Sequence, residues 1–173
     1  MLENVPLIDD AKFNVSFFDG ISRKTMKCDW NDLKNCVDFL ENQLKFERKP
    51  HIQKKYDSFI SKMKESGKNI CDHILTNEMS LDDDQNIGEE NKYVLSKNKF
   101  PYDFGNHNHY VLWIHPNCDN QMKVKLFDKE KCEKEIFKMI ELKPDLSDRF
   151  IIFRNAVKNK SIATIEHFHV IFY

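Results

Sequence analysis

The chain ends in EHFHVIFY, which sets His167 and His169 one residue apart, and three more of its 7 histidines, His107, His109 and His115, crowd into a short central stretch. Imidazole titrates near neutral pH, so it serves as nucleophile, proton carrier or, once protonated, charged donor, and all three roles suit chemistry at phosphate. Arg154 and Asn155 lie at the end of the run RFIIFRN, where a guanidinium would grip two oxygens of a phosphate or carboxylate at once. The loop NKFPYDFGNHNH at 98–109 brings Tyr102 and Phe104, an aromatic wall for a flat ring such as a base. His109, His167 and His169 are therefore the candidate catalytic residues. Arg154, Asn155, Tyr102, Trp113 and His107 are the candidate ligand contacts. Bland readings compete: the apolar run around Trp113 suits a core, and Arg154 suits an ion pair with Glu166 or Asp148.

These residues meet only if two distant strands are neighbours. Side chains alternate along a strand, so His167 and His169 share a face with Ile171, while Phe168, Val170 and Phe172 face the opposite layer. The same parity puts His109, Val111, Trp113 and His115 on one face of HYVLWIH. A metal is the rival chemistry. The H-x-H pair with a third histidine, or Cys118 three residues after His115, would offer the nitrogen and sulfur ligands that zinc favours. No motif such as H-E-x-x-H accompanies them, so no cofactor is expected and zinc or iron stands as the alternative.

The elements that must position these groups follow from periodicity. FNVSFFDG at 13–20 predicts a short strand running into a turn at Asp19-Gly20. Asp29 is a good N-cap for WNDLKNCVDFLENQLKF, where Trp30, Leu33, Val37, Leu40 and Leu44 recur at helical steps and predict one helix over 30–46. Pro50 fits the first turn of a second helix carrying Ile52, Tyr56, Phe59, Ile60 and Met63, and a third spans about 68–77 with Ile70, Ile74 and Leu75. SLDDDQNIGEEN at 80–91 reads as a solvated loop, and its carboxylates lack EF-hand spacing. KYVLS at 92–96, HYVLWIH at 109–115, KVKLF at 123–127, RFIIFR at 149–154 and HFHVIFY at 167–173 predict strands. Asp128 caps a helix through about Leu142, stopped by Pro144. The expected fold is α+β, with N-terminal helices packed with a mainly antiparallel sheet.

Composition agrees with one domain: 173 residues, 40% hydrophobic and 14 Phe supply a core, and 32% charged residues keep the outside soluble. A net charge of -1 gives no global field to recruit nucleic acid or anionic membrane, though it leaves room for a local basic groove. The 5 cysteines include no C-x-x-C pair, which fits reduced thiols in a cytoplasm. MLENVPLIDD lacks a basic start followed by an apolar run, and no stretch approaches the roughly 18 apolar residues of a membrane span. No membrane association is expected.

The order of Asp29-Trp30 with Leu33, then ERKP ahead of a helix, then FPYDF and HYVLW, and finally FRN with SIATIEHFHVIF resembles the uncharacterised domain family that contains the fungal N-acetylglucosamine-induced protein 1. That resemblance covers about 29–172 and implies a domain without implying a reaction. A second resemblance is to the histidine-triad superfamily of nucleotide hydrolases and transferases, through Pro101, His109, the helix from Asp128, Asn155 and the His167/His169 pair in that order. It implies a histidine-triad-like C-terminal half, with His169 as nucleophile on an α-phosphate and His167 and His109 in support. The third triad position departs from the pattern, being Ile171. The function expected is binding of a phosphorylated ligand, a nucleotide, nucleotide-sugar or RNA 5′ end, with turnover left open. The competing class is a non-enzymatic interaction module whose N-terminal helices dock a partner protein.

Overall fold

The computed structural model describes residues 12–79, 92–140 and 149–173. The first two strands, β1 (Phe13–Phe18) and β2 (Arg23–Cys28), form a hairpin. Its turn is held by Asp19, whose carboxylate accepts from the backbone N–H groups of Ile21 and Ser22, both at 2.9 Å. Gly20 supplies the positive φ of 97° that the turn requires. The sequence signal stopped at Gly20, because RKTMKC in β2 carries almost no apolar alternation.

Asp29 caps α1 (Trp30–Cys36) through a reciprocal pair of bonds, accepting from the Asp32 N–H at 2.9 Å while Asp32 accepts from the Asp29 N–H at 3.1 Å. The helix expected over 30–46 ends there, ten residues early in its pattern. The reason is tertiary. Residues 39–42 exchange backbone bonds with the continuation of a distant strand: Arg154 N–H donates to Phe39 O at 2.8 Å, Asn42 N–H to Arg154 O at 2.8 Å, and Ala156 N–H to Asn42 O at 2.9 Å. Asp38 fixes the turn by accepting from the Leu40 and Glu41 N–H groups. The chain then adds β3 (Lys45–Phe46) to β1. Pro50 opens α2 (Pro50–Glu65) at its first turn, and Asn69 caps α3 (Ile70–Asn77).

The second sheet has four antiparallel strands in the order β4 (Tyr93–Lys97), β5 (Asn108–Ile114), β7 (His167–Phe172) and β6 (Phe150–Phe153). Between β5 and β6 come α4 (Asn120–Leu126) and α5 (Lys129–Met139). The strand expected at 123–127 is thus a helix, capped by Asp119, whose carboxylate accepts from the Met122 N–H at 3.0 Å. A strand would have put Val124 and Leu126 on one face; the helix buries Leu126 completely and leaves Val124 69% exposed. Asp128 caps α5 as expected, whereas Leu142, Pro144 and the acidic loop at 80–91 lie outside the described residues.

Alternation along the strands gives this sheet two different faces. Leu112, Ile114, Phe150, Ile152, Phe168 and Val170 pack under Leu126, Cys132 and Ile136 of the helix pair. On the other face, Ile151, Phe153 and Ile171 join Val15, Phe46, Trp30 and Phe104, so one apolar cluster ties the first sheet and α1 to the second sheet. Gly105 is needed where the loop crosses β1: its φ is +65°, and a Cβ there would sit 3.1 Å from Phe13 Cβ. The architecture is α+β with two antiparallel sheets. Among the described residues no helix is long and apolar enough to cross a membrane.

Candidate functional site

Register brings the histidines together. In the β5–β7 pair Trp113 lies opposite His167, Val111 opposite His169 and His109 opposite Ile171, so His109 is the diagonal neighbour of His169 on the same face. All three imidazoles are almost entirely buried, at 2% exposed for His109 and 5% for each of the others. Burial holds them neutral: it lowers His109 to about 3 and His167 to about 4, and drives His169 well below its ordinary value.

The hydrogen bonds then fix which nitrogens carry protons. The Tyr102 backbone N–H donates to His109 Nδ1 at 3.0 Å, so neutral His109 is protonated on Nε2, which donates to His169 Nδ1 at 2.9 Å. His169 in turn carries its proton on Nε2, 3.1 Å from the Asn155 carboxamide nitrogen. That Nε2–H calls for a carboxamide oxygen, while donation from Asn42 Nδ2 to Asn155 Oδ1 at 3.3 Å calls for the opposite orientation. Asn42 cannot yield, because its amide also donates to Leu44 O at 2.8 Å. Whichever way Asn155 turns, one donor faces another donor, so the line is one acceptor short.

His167 differs. Its Nδ1 lies 2.8 Å from Ile165 O, and because a carbonyl only accepts, Nδ1 holds the proton. Its Nε2 is left as an unprotonated lone pair with no hydrogen-bond partner among the described residues. It faces the cleft that the His167 ring lines together with Arg48, Phe59 and Phe100. Trp113 packs against the His167 ring at 4.9 Å between centroids, the planes tilted by 41°, and donates its indole N–H to Ser96 Oγ at 3.1 Å, so this candidate ligand contact is also pinned in the wall. Phe59 and Phe100, 5.2 Å apart, form another wall, continued by Tyr56.

The cleft's guanidinium is Arg48. It lies between Tyr56 and Tyr102, 4.2 and 5.0 Å from the two ring centroids, and donates Nε–H to Phe100 O at 2.8 Å. No carboxylate pairs with it among the described residues. Of the other cations lining the cleft, Lys99 is paired with Glu78 at 2.5 Å, and Lys97 is exposed. An unpaired guanidinium, an imidazole lone pair and aromatic walls together accommodate an anion attached to a flat ring.

Other predicted residues lie elsewhere. Arg154 is outside the cleft: it donates Nε–H to Leu40 O, pairs with Glu166 at 3.2 Å and covers the Phe127 ring at 4.8 Å, which welds the 37–42 turn to the sheet. Asn155 and Tyr102 belong to the buried histidine line, with an Asn155–Tyr102 hydroxyl bond of 3.1 Å. Tyr102 and Phe104 are core residues, and the ring that their loop lends to the cleft is Phe100. His107 packs among Phe13, Trp30 and Tyr173, none of which lines the cleft. His115 accepts from the Asn117 N–H at 3.0 Å beyond the end of β5. No three His, Cys, Asp or Glu side chains among the described residues come together to hold a metal ion, and all 5 cysteines are free thiols.

The match over residues 29–173 places the chain in the family described as "Protein of unknown function (DUF3605)". No curated protein matches it. Among solved structures it is similar to the crystal structure of HTC1, with 20% identity and a TM-score of 0.51 over 73% of this chain and 75% of that one. At that identity the likeness is one of fold.

Proposed function

We propose that the cleft binds a phosphorylated ligand carrying a flat ring, of the nucleotide or nucleotide-sugar class, and that His167 Nε2 is the nucleophile at its phosphorus. The observation that carries this reading is the free lone pair of a buried, neutral imidazole in the same cleft as an unpaired guanidinium. Arg48 takes the phosphate oxygens, and Trp113, Phe59 or Phe100 takes the ring. An N–P bond forms as the P–O bond to the leaving group breaks. The leaving oxygen takes a proton from water at the open mouth, and a second water cleaves the N–P bond, returning a neutral imidazole with phosphate from a monophosphate or nucleoside monophosphate from a nucleotide-sugar; the proton this releases neutralises the hydroxide left by the first water. Ile165 O, already bonded to Nδ1–H, stabilises the positive charge that the ring gains in the intermediate. The reading keeps the phosphate chemistry of the histidine-triad likeness and moves the attacking nitrogen from His169 to His167. Free thiols support a reducing, cytosolic setting.

A second reading is binding without turnover. It is favoured by the engagement of both nitrogens of His169 and His109, which leaves a single imidazole to do all the chemistry. Thermal shifts with nucleoside monophosphates and nucleotide-sugars, together with hydrolysis of the same compounds, separate the two. Wild-type protein is stabilised and hydrolyses its ligand; His167→Asn, whose amide can donate to Ile165 O, is stabilised but hydrolyses none. Stabilisation without hydrolysis by the wild type leaves the binding reading, and no stabilisation by any of these ligands overturns both.

A further inference from the structure

We infer that the cleft is the terminal pocket of a longer track, and that its ligand is the phosphorylated end of a single-stranded oligonucleotide. The inference rests on the phosphate-ligand reading of the cleft and adds what lies outside it. Arg48, Tyr56 and Ser161 border the cleft and also a wide surface groove between β3 and the start of α2. The two depressions therefore meet edge to edge. The groove carries four cations, Arg23, Lys45, Arg48 and Lys54, against two carboxylates, Glu47 and Asp57. Glu47 is already neutralised by Arg23 at 2.8 Å, and Asp57 accepts from Gln53 at 2.8 Å.

Lys45 and Lys54 are exposed and make no ion pair among the described residues, so the groove offers positive charge that the protein itself does not use. The whole chain has a net charge of -1; this field is local, and a ligand feels it only by lying along the groove. Lys45 and Lys54 line the groove and not the cleft, so a mononucleotide held within the cleft leaves them unused. A ligand with further phosphates beyond the first does. Tyr56 stands at the junction, where its ring can stack on a second base. Repeating anions joined to flat rings describe a nucleic-acid strand rather than an acidic peptide, which has the charges without the rings.

The test is fluorescence anisotropy with a 5′-phosphorylated hexanucleotide, as RNA and as DNA, competed by the matching nucleoside monophosphate, the unphosphorylated hexanucleotide and hexaglutamate. The phosphorylated strand is expected to bind about tenfold or more tighter than the monophosphate, with an advantage that fades as salt rises. Lys45→Glu with Lys54→Glu removes that advantage and leaves monophosphate affinity unchanged. Equal affinity for strand and monophosphate, an advantage that survives the double substitution, or equally strong competition by hexaglutamate overturns the inference while leaving the cleft reading intact. Binding of neither monophosphate nor strand overturns both.

Discussion

His167 and His169 stand on one face of β7 with ring centroids 5.3 Å apart, and they differ in what their nitrogens are left to do. His169 spends both nitrogens on His109 and Asn155. His167 spends one on Ile165 O and keeps the other for the cleft. A two-residue step along a strand thus separates an imidazole with both nitrogens engaged from one with a nitrogen left open. Strand parity treats the two as equivalent, and the histidine-triad resemblance favours His169, because the difference depends on partners contributed by Tyr102 and Ile165.

Acid destabilises this protein through its buried imidazoles. Their folded pKa values lie below the unfolded value of 6.5, so below that pH the unfolded chain binds more protons and stability falls with pH. The contribution is full above 6.5, and for His167 it is lost as pH drops from 6.5 toward about 4. For His109 and His167 the loss is about 2 kcal/mol each by about pH 5, and His169 acts in the same direction. Urea unfolding across this range measures the slope, which shrinks when His109 or His167 is replaced by Gln.

Asn155→Asp supplies the acceptor that the histidine line lacks. A carboxylate accepts from His169 Nε2–H, from the Tyr102 hydroxyl and from Asn42 together, where the carboxamide satisfies only part of that set. It also places an anion beside His169, whose pKa then rises from its depressed value. Histidine titration by NMR checks this. A His169 that stays neutral down to the same pH as in the wild type contradicts the assigned tautomers.

Arg48→Ala lowers affinity for a nucleoside monophosphate by about tenfold or more, since the cleft loses its unpaired guanidinium. Arg48→Lys does not restore it. The planar group stacks between Tyr56 and Tyr102 and donates to Phe100 O, a geometry that an ammonium cannot reproduce. Calorimetry on the two variants measures the difference.

Asp119→Ala costs about 1 kcal/mol of stability, the worth of an N-cap, because residues 120–126 are helical and not a strand. Asp119→Asn or Ser restores most of it. Chemical denaturation of the three variants is sufficient.

The sheet was largely legible from the sequence. Strands β4 to β7 each carry strong β-formers, and parity put His167 beside His169 on one strand face and His109 with Val111 and Trp113 on another; the pairing of β5 with β7 brings the two together. Tertiary structure decided the rest. The Trp30–Leu44 pattern is helical in period, yet residues 39–42 pair with the backbone at 154–156. The KVKLF run alternates like a strand, yet Asp119 starts a helix ahead of it. Arg154 stood beside the right strand and was spent on Glu166. Arg48, the guanidinium that does line the cleft, lies in ERKP, where the only visible signal was a basic pair ahead of a helix-starting proline. Nothing in that local sequence says that the side chain reaches the tyrosine of a loop more than fifty residues on.

The most direct test is 15N NMR of the imidazoles at neutral pH, with and without a nucleoside monophosphate. Among His109, His167 and His169, one unprotonated nitrogen without a partner in the protein is expected, His167 Nε2, whose resonance moves on ligand addition and vanishes in His167→Asn, while the His109 and His169 resonances stay nearly fixed. A His167 Nε2 that is protonated, or that does not respond while His169 does, contradicts the assignment of the reactive nitrogen to His167 and returns it to His169.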